Sequence, residues 1–185
     1  MKTVLKASLM ILFSVVFLVA AELKVGEKVP SFKLSADDGE MWHSDSLESD
    51  YLVVYFYPAA MTFGCTKQAC SYRDNMSEFE DLNAEVVGIS GDEVEALQVF
   101  KEAHDLNFTL LSDSNGKVAK LFGVPYSDGG EIEKEMNDEK VTLKRGVTTK
   151  RWTFILDNHG KVIYKDDGVN PMADAKNVLK ELQND

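Results

Sequence analysis

Leu52-Val53-Val54-Tyr55-Phe56-Tyr57-Pro58-Ala59-Ala60-Met61-Thr62-Phe63-Gly64-Cys65-Thr66-Lys67-Gln68-Ala69-Cys70 carries the chain from one kind of secondary structure into another. Residues 52–57 are an unbroken run of aliphatic and aromatic side chains, the pattern of a central strand buried on both faces. Pro58 ends that run, because it has no N–H to give to a sheet. After a short loop, residues 65–82 place sparse apolar positions among dense polar ones, as on a partly exposed helix. Cys65 therefore falls where a helix should begin, at the carboxyl end of a buried strand, where α/β sheets usually carry their sites. A helix N-terminus offers unpaired N–H groups and partial positive charge, which favour the ionised form of a thiol. A reactive sulfur is expected at Cys65.

Outward from this segment, strands and helices alternate. Residues 85–90 and 108–111 read as further strands. Between them Asp92 or a neighbour is placed to cap a helix reaching about His104, with Val94, Leu97 and Phe100 at helical spacing. Residues 116–122 suggest a short helix and 151–156 a strand. The tight turn Asp157-Asn158-His159-Gly160 returns the chain as a hairpin through 161–164, and a helix over 172–182 begins near Pro171. Residues 32–34 and 41–43 form an N-terminal extension. The expected architecture is a three-layer α/β domain over residues 22–185, a central mixed sheet flanked by helices. Residues 126–140 stand apart: Asp128, Glu131, Glu133, Glu135, Asp138 and Glu139 surround Gly129-Gly130. They read as a solvated, mobile acidic surface insertion with little apolar area to bury.

The first 21 residues do not belong to that domain. Lys2 and Lys6 precede an apolar run over 9–21 in which only Ser14 is polar. The run would span roughly 20 Å as a helix, short of the ~30 Å hydrocarbon core. With Val19 and Ala21 at its end it has the form of a secretory signal peptide, leaving a mature start at Glu22. An uncleaved anchor is the alternative. Cleavage removes two lysines and no acidic residue, taking the net charge from −11 to −13. Such a surface repels nucleic acid and anionic membrane, so neither is an expected partner.

Two cysteines in an exported chain ordinarily read as one structural disulfide. Cys70 follows Cys65 by five residues, and on a regular helix that is ~7.5 Å of rise and about 140° of rotation. That exceeds the ~7 Å Cα separation a disulfide tolerates, so bonding requires the first turn to unwind. A static bridge would avoid this arrangement; a redox pair can exploit it.

At this point a resemblance becomes specific. Pro58, Thr62 and Cys65 match the P-x-x-x-T-x-x-C pattern of peroxiredoxins, the AhpC/TSA family. The longer run from Tyr55 to Cys70 resembles the bacterioferritin comigratory protein, or Q-type, subfamily. Residues 24–34 are similar to the usual start of such domains, and residues 151–157 to the strand that brings in the family's arginine. The resemblance implies a thioredoxin-like fold and a thiol peroxidase. Cys65 would attack a hydroperoxide and Cys70 would resolve the resulting sulfenic acid as an intrachain disulfide. Thr62 and Arg151 would hydrogen-bond the thiolate and the peroxide, and Pro58 would shield them from water. The implied reductant is a thioredoxin-like dithiol protein; no metal or organic cofactor is implied, and a monomer or weak dimer suffices. Phe63 departs from the pattern, since many Q-type members have proline there.

Two other chemistries compete. A thioredoxin-type oxidoreductase generally uses Cys-x-x-Cys, and a Sco-type copper module would want Cys-x-x-x-Cys with a distant histidine. The four residues between Cys65 and Cys70 fit neither, and His43, His104 and His159 show no ligand spacing.

Overall fold

The computed structural model describes residues 22–136 and 139–184; the expected signal peptide lies outside them. In chain order the elements are β1 (Lys33–Ala36), β2 (Met41–His43), β3 (Tyr51–Phe56), α1 (Phe63–Asp74), α2 (Met76–Asp81) and β4 (Ala84–Ser90). Then come α3 (Val94–Ala103), β5 (Thr109–Ser112), α4 (Lys117–Phe122), β6 (Tyr126–Met136), β7 (Glu139–Thr149), β8 (Trp152–Asp157), β9 (Val162–Asp166) and α5 (Asp174–Leu182).

Seven strands make one mixed sheet in the order β2-β1-β5-β4-β3-β8-β9. β3 lies parallel to β4 and antiparallel to β8, so the run 52–57 is covered along both edges as its composition requires. Side chains alternate between the faces of a strand. Val53, Tyr55 and Tyr57 enter one core with side chains of α1, α2, α3 and α5. Leu52, Val54 and Phe56 enter the other, against α4, β8 and the N-terminal segment. Tyr55 stacks on Tyr72 of α1, with ring centroids 4.7 Å apart. Its ring lies over Gly88 of β4, where a Cβ would meet it at 2.6 Å. This contact seats α1 on the sheet.

The helix expected over 65–82 is two helices. α1 begins at Phe63 and stops at Asn75, whose side chain turns back to donate to the Ser71 carbonyl (2.6 Å). α3 also differs from expectation: its N-cap is Glu93, and Asp92 turns inward.

The acidic segment is not a loop. Residues 126–136 form β6 and pair in regular antiparallel register with β7, a strand unexpected from the sequence. Glu131 lies opposite Lys144 and Glu135 opposite Lys140, and Lys140 Nζ lies 3.8 Å from Glu133 Oε2. Surface exposure over 127–135 is as expected, but β7 has an inward face: Leu143, Val147 and Thr149 are buried. The hairpin grips the main body by backbone bonds, Gly146 N–H to the Gly91 carbonyl (2.9 Å) and Glu93 N–H to the Lys144 carbonyl (2.9 Å). Gly91 is required by this approach, because a Cβ there would lie 2.1 Å from the Val147 carbonyl oxygen.

Gly91→Ala is therefore expected to cost about 1–3 kcal/mol of stability, as overpacking against a rigid backbone does. Urea unfolding measures it; an unchanged midpoint would mean that the hairpin does not seat on β4 as described.

Candidate active site

Cys65 is the third residue of α1 and is 2% exposed. Tyr55, Ala69 and Tyr72 belong to the same buried cluster, so the sulfur sits in a mostly dry environment. Among the described residues, one side-chain polar contact reaches it. Arg151, just before β8, donates from Nη2 to Sγ over 3.3 Å. Gly64 lies beside this contact, where a Cβ would meet the same Nη2 at 3.4 Å, an ordinary van der Waals distance.

Arg151 is itself held. Its Nη1 donates to Gln68 Oε1, and Gln68 Nε2 donates to Asp174 Oδ2 over 2.6 Å. Asp174 Oδ2 also accepts from Tyr72 Oη (2.8 Å) and Thr153 Oγ1 (2.9 Å). Burial pushes the Asp174 carboxyl above the usual carboxylate range, and the three donors oppose that shift. Burial likewise pushes the Tyr55 phenol well up, with Cys65 and Asp174 adding to it and Arg151 opposing. Tyr55 therefore stays neutral beside the sulfur.

The loop between Pro58 and α1 is tied at several points. Thr62 is the N-cap of α1, and its hydroxyl donates to the Ala59 carbonyl over 2.9 Å. With its proton on that carbonyl, the hydroxyl presents lone pairs to a ligand. Met61 adopts φ 60°, a left-handed conformation costly for such a side chain. Asp92 holds this strained loop by accepting the Ala60 N–H over 2.8 Å. Ser90 Oγ supports the same carboxylate oxygen (2.8 Å), and Thr149 of β7 donates to the Tyr57 carbonyl (2.9 Å).

Cys70 lies on α1 as well, half-buried, and both thiols are free. Over five residues the helix advances ~7.5 Å, so the two sulfurs cannot bond while α1 is intact. The structure thus brings Cys65 and Arg151 together, places Pro58 and Thr62 along the entrance to α1, and keeps Cys70 on the same helix but apart. Gln68, Asp92 and Asp174 were not expected from the sequence. Gln68 was legible as one helical turn beyond Cys65 on the same face; Asp174, 106 positions from Gln68, had no local sign. Among the described residues, no group of three or more His, Cys, Asp or Glu side chains is placed to hold a metal ion.

Residues 25–165 match the model of the AhpC/TSA family. Peroxiredoxin Bcp of Bacillus subtilis is 34% identical over 86% of this chain and 97% of its own length. Among solved structures, peroxidoxin BcpB from Mycobacterium tuberculosis is similar with a TM-score of 0.74 and 33% identity, covering 88% of this chain and 98% of that one. A bacterioferritin comigratory protein of Xanthomonas campestris, whose structures concern its alkyl peroxide reduction activity, has a TM-score of 0.68 at 27% identity over 83% of this chain and 90% of its own.

Burial pushes the Asp92 carboxyl upward, against the hydrogen bonds from Ala60 and Ser90 and the charge of Arg145. With its folded-state pKa above the unfolded one, the folded state keeps the proton longer. The resulting stability is fully present below the unfolded value of about 4 and is lost as pH rises through the folded value. The stability difference between wild type and Asp92→Asn, measured by urea unfolding, should therefore move in favour of wild type as pH falls from neutral. A difference independent of pH would contradict this.

Proposed function

This chain belongs to the AhpC/TSA family of peroxiredoxins, and on that premise we propose that it reduces hydroperoxides at Cys65 and closes an intrachain disulfide with Cys70. Its fold is the thioredoxin-like one of these enzymes. The observation that carries the assignment is the guanidinium of Arg151 set 3.3 Å from the buried sulfur of Cys65.

The chemistry balances within named groups. The Cys65 thiolate attacks the terminal oxygen of ROOH; an S–O bond forms, the O–O bond breaks, and RO⁻ leaves with the electron pair and takes up a proton as ROH. Cys65 is left as a sulfenic acid. After the first turn of α1 unwinds, the Cys70 thiolate attacks the Cys65 sulfur, the S–O bond breaks, and hydroxide leaves as water. A thioredoxin-like dithiol protein then reduces the disulfide by two thiol exchanges, ending as a disulfide itself.

Ionisation alone does not suffice. An ordinary thiol is a few per cent thiolate at neutral pH, so full ionisation raises the rate at most about 30-fold, or about 2 kcal/mol. Enzymes commonly supply ~8 kcal/mol or more. The remainder falls to groups that meet the charge arriving on the leaving oxygen, the role of Arg151. Thr62 would use its lone pairs to accept a hydrogen bond from the peroxide O–H, and Pro58 would keep water off the reacting atoms. Both cysteines lie on one chain, which is compatible with a monomer or weak dimer.

Export belongs to the same proposal. It is supported by the basic start and the apolar run 9–21, and by the packing of Leu23 in the core with Glu22 paired to Lys165, immediately after the expected cleavage point. The mass of the processed protein would then correspond to a start at Glu22.

Single-turnover oxidation by hydrogen peroxide and an organic hydroperoxide tests the assignment. Cys65→Ser should abolish fast consumption, Cys70→Ser should leave a trappable sulfenic acid, and Arg151→Ala should slow consumption by about 100-fold or more, well beyond any change in thiolate fraction. Equal losses of rate and thiolate in Arg151→Ala would remove Arg151 from the transition state.

A further inference from the structure

Asp174 opens α5, far along the chain from the reacting sulfur. Its side chain is nonetheless almost fully enclosed (1% exposed), a costly place for a carboxylate. Three donors converge on its Oδ2: Gln68 Nε2 at 2.6 Å, Tyr72 Oη at 2.8 Å and Thr153 Oγ1 at 2.9 Å. Its Oδ1 accepts none. Two of the donors are on α1 and one is on β8, which begins immediately after Arg151. The carboxylate therefore ties together the helix that carries Cys65 and the strand that follows its arginine.

The contacts have a direction. A carboxylate only accepts and a guanidinium only donates. Gln68, buried between them, can satisfy both only with its NH₂ toward Asp174 and its carbonyl oxygen toward Arg151. Were the amide turned over, both contacts would oppose like groups. Asp174 thus fixes the orientation of Gln68, Gln68 fixes Nη1 of Arg151, and the rigid guanidinium then aims Nη2 at Cys65.

Gln68 also lies between Cys65 and Cys70, in the part of α1 that must unwind before the sulfurs can meet. Unwinding separates Gln68 from Asp174 and Cys65 from Arg151 together. We propose that Asp174 is a positioning residue that latches the first turns of α1, holding Arg151 on Cys65 for attack on peroxide and resisting the unwinding that lets Cys70 in. Once the sulfur becomes a sulfenic acid it is no longer an anion, so Arg151 loses its charged acceptor and the latch weakens when release is needed. The latch acts oppositely on the two steps: it favours the first and delays the second. This inference rests on the reading of Cys65 and Cys70 as the peroxide-reactive pair.

The test follows two rates after mixing reduced protein with hydrogen peroxide: oxidation of Cys65, isolated in a Cys70→Ser background, and disulfide closure with Cys70 present. Asp174→Asn, nearly isosteric, should slow oxidation about tenfold and speed closure severalfold, the range expected for a coupled buried contact. Gln68→Met cuts the same chain from its middle without touching the carboxylate, and should give the same opposed pair of changes. Because the two residues act in series, the double variant should go little further than either single one. Should Asp174→Asn not fold, Gln68→Met carries the same test. Both rates falling together, both unchanged, or the two substitutions multiplying would overturn the latch. Wild type that fails to consume peroxide would instead overturn the peroxidase reading itself.

Discussion

A guanidinium 3.3 Å from a sulfur, inside a core that excludes most water, is the contact around which the rest of the site is arranged. Charges withdrawn from water are expensive unless paired and hydrogen-bonded, and an arginine has several donors to place. Here one faces Cys65 and another faces Gln68, which is itself held by Asp174. The low local dielectric that makes this network costly also strengthens what it does, since charge on a departing oxygen would meet a donor already in position.

One helix carries both sulfurs and keeps them apart. The regular rise of α1 holds Cys70 out of bonding range of Cys65. On the proposed chemistry the two sulfurs meet only when α1 unwinds locally. Phe63 is 75% exposed, Lys67 is exposed, and Thr66 is half-buried, so releasing the first turns uncovers little apolar surface beyond Ala69 and the sulfur itself. Tyr72, stacked on Tyr55, anchors the second half of the helix and leaves a fixed point from which the first half can open. Elements with few buried apolar contacts are the ones that open at low cost.

Most of this was legible from the chain. Residues 52–57 announced a central strand because nothing polar interrupts them, and Pro58 marked its end. The position of Cys65 at a strand-to-helix junction pointed to a reactive thiol before any likeness was considered, and the likeness then singled out Arg151. What escaped has common physical causes. Residues 126–140 suggest a solvated, mobile insertion from their acidity; the inward-facing residues of β7, Leu143, Val147 and Thr149, lie beyond that tract, and pairing between strands is a non-local property. Asp92 looked like a helix cap because aspartate before a helical run ordinarily is one, whereas the Ala60 N–H had a stronger claim on it. Asp174 gave no sign, since a buried carboxylate next to a helix start cannot be told from an exposed one without knowing what packs above it.

On the proposed chemistry Cys65 reacts with α1 formed and meets Cys70 only with its first turns unwound. Amide hydrogen exchange along residues 63–69, compared between the reduced protein and the protein oxidised by one equivalent of hydrogen peroxide, tests it most directly. Exchange over those residues should accelerate strongly after oxidation, with β3 and β4 unchanged. A disulfide formed between Cys65 and Cys70 while those amides stay as protected as before would contradict it.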